Sequence, residues 1–103
     1  MPDHDRKHTR VPLLVEVLWE GAAGKYEART SDISIGGCFI DTTGQMAIGE
    51  TIAFQLCLPG SEGMELLGEV MYELPRAGFG VRFANLSDDQ KQRLEAIIKA
   101  QQQ

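Results

Sequence analysis

Two short segments hold most of the side chains that could do chemistry in this sequence. The first is Arg6-Lys7-His8-Thr9-Arg10, an R-x-x-x-R element in which two guanidinium forks lie four residues apart. Such forks suit bidentate binding of phosphate oxygens and of the O6/N7 edge of guanine. The second is Asp32-x-Ser34-x-x-Gly37. Here a carboxylate can accept from the N1 and N2 hydrogens of guanine, a hydroxyl can serve a phosphate or a turn, and a glycine permits close backbone approach. Each half alone has an ordinary structural reading, since arginine pairs are common and Asp and Ser often only hold turns. Taken together and in this order, they are far more specific.

Catalytic machinery is scarce. His4 and His8 are the only histidines, and both lie in the polar N-terminal stretch, away from any apolar anchor. The acidic residues are scattered, with no glycosidase-type pair and no calcium loop. Cys38 and Cys57 show no metal-ligand spacing and read as reduced packing thiols. The expectation is therefore a binding protein with no enzymatic activity, no metal and no cofactor.

The charge balance narrows the class of ligand. The chain carries a net charge of −5, yet three of its ten basic residues fall within residues 6–10, which leaves an acidic body behind a cationic arm. That distribution disfavours a nucleic-acid polymer, whose binding needs a long basic face, and favours local capture of one anionic group. No apolar run approaches the roughly 18 residues of a membrane helix, and the opening MPDHDRKHTR lacks the apolar core of a signal peptide. A cytoplasmic protein with no membrane insertion is expected.

At 103 residues, 43% hydrophobic and 24% charged, the chain suits one domain with one modest core. Val11, Leu13, Val15, Val17 and Trp19 alternate with period two, which predicts a strand buried on one face. Gly21-Ala22-Ala23-Gly24 breaks it, and Lys25 to Ile33 resumes as a hairpin partner. Further strands are expected at Cys38 to Asp41, Thr51 to Leu58, Gly63 to Leu74 and Gly78 to Phe83, with Asp32 to Gly37 and Pro75-Arg76-Ala77 as turns. Ser87 with Gln90 forms a capping box, and Leu94, Ile97 and Ile98 make one apolar stripe, so a helix is predicted over about residues 87–100. Short antiparallel strands followed by one helix predict a mainly β protein, a six-stranded antiparallel barrel with a C-terminal α-helix.

The two motifs, each beside a strand of a small barrel, resemble those of the PilZ domain family. Val15 and Val17, Gly49, Gly80-Val81-Arg82-Phe83 and the terminal helix are similar to the family pattern as well, so the resemblance covers essentially the whole chain. It implies a split-barrel fold over residues 11–103, a flexible arm over 1–10, and a bacterial receptor for cyclic di-GMP. By that resemblance Arg6 and Arg10 clamp phosphates and guanine Hoogsteen edges, Asp32 and Ser34 meet the guanine polar edge and a phosphate, and Gly37 keeps the floor open. Lys7 and Gly36 are secondary contributors. Asp5, directly before the first arginine, bears on whether one ligand or a stacked pair binds. Ligand binding is expected to order the arm and signal through a separate effector protein. The alternative is an interaction module that keeps the barrel but not the nucleotide, of the kind linked to type IV pili or motility.

Overall fold

The computed structural model of the chain describes residues 10–21, 24–44, 46–58 and 63–102. Seven strands run β1 (Val11–Pro12), β2 (Glu16–Gly21), β3 (Gly24–Ile33), β4 (Gly37–Asp41), β5 (Thr51–Cys57), β6 (Met64–Leu74) and β7 (Gly78–Ala84), followed by helix α1 (Asp88–Gln102). All pairings are antiparallel, and the circuit β3-β2-β5-β6-β7-β4 closes on itself because β4 returns to β3. This is the six-stranded barrel with a terminal helix, and β1 is one extra strand paired on β3.

The alternation that predicts the strands also fills the barrel. Val17, Trp19, Ile33, Ile40, Phe54, Leu56, Val70 and Phe79 are buried inside it, and Trp19 meets Phe79 edge-on at 5.4 Å between ring centroids. Helix α1 closes one end. Its capping box is formed: the Ser87 amide donates to Gln90 Oε1 at 2.9 Å and the Gln90 amide donates to Ser87 Oγ at 3.1 Å. Gln90 Nε2 also donates to the Glu65 carbonyl, which ties the helix start to β6. Leu94 and Ile98 bury their side chains in the core, and the helix lies against β1. Full burial of one such side chain contributes about 1.5–3 kcal/mol.

The first strand departs from the continuous Val11 to Trp19 run that the alternation predicts. Pro12 pairs with Asp32 and Glu16 with Arg29, so the stretch between them carries one residue more than the facing stretch of β3. Thr30, fully buried, fills this bulge. Its hydroxyl donates to the Leu13 carbonyl at 2.6 Å and accepts from the Val15 amide at 3.3 Å, while its own amide donates to the Val15 carbonyl. Two backbone groups that the offset removes from the ladder thus find one side chain between them. Inward alternation survives across the break, because Val11, Leu13, Val15 and Val17 all remain buried.

Candidate functional site

A second irregularity decides where Asp32 points. Against β4, Thr30 pairs with Ile40 but Asp32 pairs with Phe39, so Ser31 is an extra residue on β3. Without it, the period of two would turn Asp32 to the same inner face as Thr30. With it, Ile33 takes the inward position and is fully buried, while the Asp32 side chain keeps 39% of its surface exposed. A bulge of this type re-aims a single side chain without breaking the sheet. Asp32 accordingly belongs to the end of β3 and not to the turn in which the glycine-rich pattern placed it.

Arg10 stands immediately before β1, and the β1–β3 pairing brings it beside Asp32. Its guanidinium Nη2 donates to Asp32 Oδ1, a charge-assisted contact between residues 22 apart in sequence. Beneath this pair lies Cys38, which pairs with Ile33 and is buried. Burial pushes its thiol up to about 12; the Asp32 charge adds to the rise and the Arg10 charge opposes it. A thiol held this far from ionisation is a packing group, as its sequence context predicts.

Ser34 to Gly36 make the turn into β4. The Ser34 hydroxyl accepts from the amides of Gly36 at 3.1 Å and Gly37 at 3.2 Å, and the Ser34 amide donates to the Gly37 carbonyl at 2.8 Å. Ser34 is only 1% exposed, so its hydroxyl is directed into the turn that it stabilises. The Phe83 amide donates to the Gly36 carbonyl at 2.8 Å and anchors the turn to β7. Gly37 is required by packing, because a Cβ there would stand 2.1 Å from the Val81 carbonyl oxygen of β7. Ser34 and Gly37 therefore shape the turn that leads from the end of β3, where Asp32 stands, into β4. Arg6 and Lys7, with Asp5 and both histidines, lie outside the described residues.

One component of the surface carries no motif signal. Phe39, the register partner of Asp32 on β4, stacks on Tyr72 of β6 with centroids 6.0 Å apart and 28° between the rings. Gly80 on β7 lies between them, and a Cβ there would come within 2.3 Å of the Tyr72 ring, so the glycine lets that ring lie flat across the sheet. The result is a partly exposed aromatic surface one strand from Asp32. Only the pairing of β4, β7 and β6 reveals it, since Phe39 and Tyr72 are remote in sequence.

The arrangement offers a guanidinium, a carboxylate, a tight glycine-containing turn and an aromatic plane on one outer face of the barrel. That combination suits a flat, anionic, hydrogen-bonding ligand such as a nucleotide. Among the described residues no group of His, Cys, Asp and Glu is placed to hold a metal ion, and no helix is long and apolar enough to cross a membrane.

Comparison with known proteins agrees with this architecture. The family described as PilZ domain matches residues 4–100. No curated protein matches the chain. Among solved structures, the PilZ domain with c-di-GMP of YcgR from Escherichia coli superposes with a TM-score of 0.76 at 15% identity, covering 94% of this chain and 91% of that one. The K. pneumonia MrkH–c-di-GMP complex gives 0.78 at 18% identity, over 90% of this chain and 50% of that chain. The Bacillus subtilis inhibitor of motility MotI/DgrA gives 0.73 at 18% identity, over 94% and 51%. This chain thus spans about half the length of those two proteins, and at such identities the likeness is one of fold.

Proposed function

Because the chain belongs to the PilZ domain family, we propose that it is a receptor for cyclic di-GMP that acts by binding and not by catalysis. The observation that carries this reading is the Arg10–Asp32 contact, which joins the two chemically distinctive segments of the sequence across β1 and β3. YcgR and MrkH, whose solved structures hold c-di-GMP, share the fold on which that contact sits.

In this account Arg6 and Arg10 engage the phosphates and a guanine Hoogsteen edge. Asp32 accepts from the N1 and N2 hydrogens of one guanine, and the exposed ring of Tyr72 offers a plane for base stacking. Ser34, Gly36 and Gly37 contribute through the shape of the turn, and Lys7 adds long-range attraction. Asp32 exchanges part of its Arg10 contact for the ligand, so the guanidinium is already oriented when the phosphates arrive. The segment 1–10 then closes over the ligand, and the changed surface is what an effector protein reads.

Amide relaxation measurements with and without cyclic di-GMP test this directly. Order parameters of residues 3–10 rise on saturation if the arm closes, and values already as high without ligand would refute the switch. In parallel, Arg10→Ala and Asp32→Ala each weaken binding at least about tenfold, the expected loss of one charged hydrogen-bonding partner. Unaltered affinity in both folded variants would refute the assignment of the site.

A further inference from the structure

Along the strands from Asp32, the outer face of the barrel opens into a cleft of about 310 Å³ lined by Glu16, Ala28, Arg29 and Asp41. Its charged residues are in register. Glu16 of β2 pairs with Arg29 of β3, and Arg29 pairs with Asp41 of β4, so a guanidinium stands between two carboxylates across three adjacent strands. Register partners on one face hold their side chains roughly 5 Å apart. Among the described residues Arg29 makes no ion pair, so its donors remain available to a ligand in the cleft.

The cleft adjoins the site already described. Asp41 lies two residues beyond Phe39 on β4, roughly 7 Å at the rise of a strand, and Phe39 is the partner of Asp32. Burial raises the Asp41 carboxyl above its ordinary range and the Asp32 charge raises it further, which marks the two carboxylates as electrostatic neighbours.

The donor and acceptor pattern selects among bases. Guanine presents O6 and N7 as paired acceptors for a guanidinium fork, and on the adjoining edge the N1 and N2 hydrogens as paired donors for a carboxylate. Adenine presents neither pair, because its exocyclic amine stands where O6 would be and N1 carries no hydrogen. Cyclic di-GMP has two guanines, and Asp32 can serve only one.

We propose that the Glu16–Arg29–Asp41 cleft is a second base subsite, in which Arg29 donates to O6 and N7 of the other guanine and Asp41 accepts from its N1 and N2 hydrogens. Glu16, the register partner of Arg29 on β2, lines the cleft on the opposite side. This rests on the receptor reading above and assigns base selectivity to residues outside both motifs.

The test titrates cyclic di-GMP and cyclic di-AMP into the wild type, Arg29→Ala and Asp41→Asn, with circular dichroism confirming that each variant is folded. The wild type prefers cyclic di-GMP. Each variant loses roughly ten- to hundredfold of that affinity, while the weaker cyclic di-AMP affinity changes little, so selectivity narrows. Folded variants that keep both the affinity and the selectivity of the wild type overturn this subsite and leave the receptor reading intact. A wild type that binds neither dinucleotide overturns both.

Discussion

Thr30→Val is the substitution whose consequence follows most directly from the geometry. Valine has nearly the same volume, so it leaves no cavity and keeps the branched shape that suits β3. What it removes is the hydroxyl that donates to the Leu13 carbonyl at 2.6 Å and accepts from the Val15 amide at 3.3 Å. Thr30 is 0% exposed, so water cannot replace it without opening the barrel. A buried polar group left without a partner costs about 1–3 kcal/mol, and the longer contact weighs less than the shorter. Together the two losses amount to about 2–4 kcal/mol, a large share of the roughly 5–15 kcal/mol of a typical domain. At about 4–8 °C per kcal/mol for a domain of this size, Tm falls by roughly 8–32 °C.

Urea unfolding followed by the fluorescence of Trp19, the single tryptophan and a core residue, measures the change without a label. Thr30→Ser is the control: it retains the hydroxyl and gives up one methyl, for a loss of about 1 kcal/mol. A Thr30→Val variant within about 0.5 kcal/mol of the wild type at unchanged m-value would refute the role of this hydroxyl in holding the bulge. So would a Thr30→Ser variant that is equally damaged.

Other consequences can be checked independently. Gly37→Ala forces β4 away from β7, since its Cβ would stand 2.1 Å from the Val81 carbonyl oxygen, and costs about 1–3 kcal/mol or more in chemical unfolding; a neutral result would show that the strands separate freely. At pH 8 the Cys38 thiol, pushed up to about 12, is ionised in only about one molecule in ten thousand, whereas Cys57 is half-buried and free. Thiol titration of the native protein should therefore show one reactive cysteine per chain, with the second appearing only on unfolding, and two equally fast thiols would contradict the burial of Cys38. Asp41 has a folded pKa above its ordinary value because of burial and the Asp32 charge, so its contribution is present below the unfolded pKa and lost as pH rises through the folded one. Asp41→Asn should then gain stability relative to the wild type at pH 7 compared with pH 3. Asp32→Asn should lower the Asp41 pKa in a carboxyl-carbon NMR titration, and an unmoved titration would show that the two groups are not coupled.

The barrel was legible because its strands are half-buried and antiparallel, so inward residues such as Ile52, Phe54 and Leu56 write their period of two into the sequence. The helix was legible because Ser87 and Gln90 cap it by local bonds that depend on nothing distant. The two bulges around Thr30 were not. Both concern register between strands, and a one-residue offset leaves no trace in the composition of either strand. That offset is nonetheless what carries Asp32 to the outer face beside Arg10. The Phe39–Tyr72 surface and the Arg29–Asp41 row escaped for the same reason, since each is assembled across strands whose pairing only the closed sheet defines. The D-x-S-x-x-G spacing singles out Ser34 and Gly37, and the structure adds why those residue types stand in the turn: one satisfies two turn amides, and the other lets two backbones touch.

The central claim is tested most directly by calorimetric titration of cyclic di-GMP into the wild type and into an Arg6→Ala/Arg10→Ala variant verified as folded. The account predicts saturable binding by the wild type, with a stoichiometry that reports whether Asp5 permits a stacked pair, and loss of that binding in the variant. A wild type that releases no heat and binds no ligand, or a double variant that binds as tightly as the wild type, would contradict it.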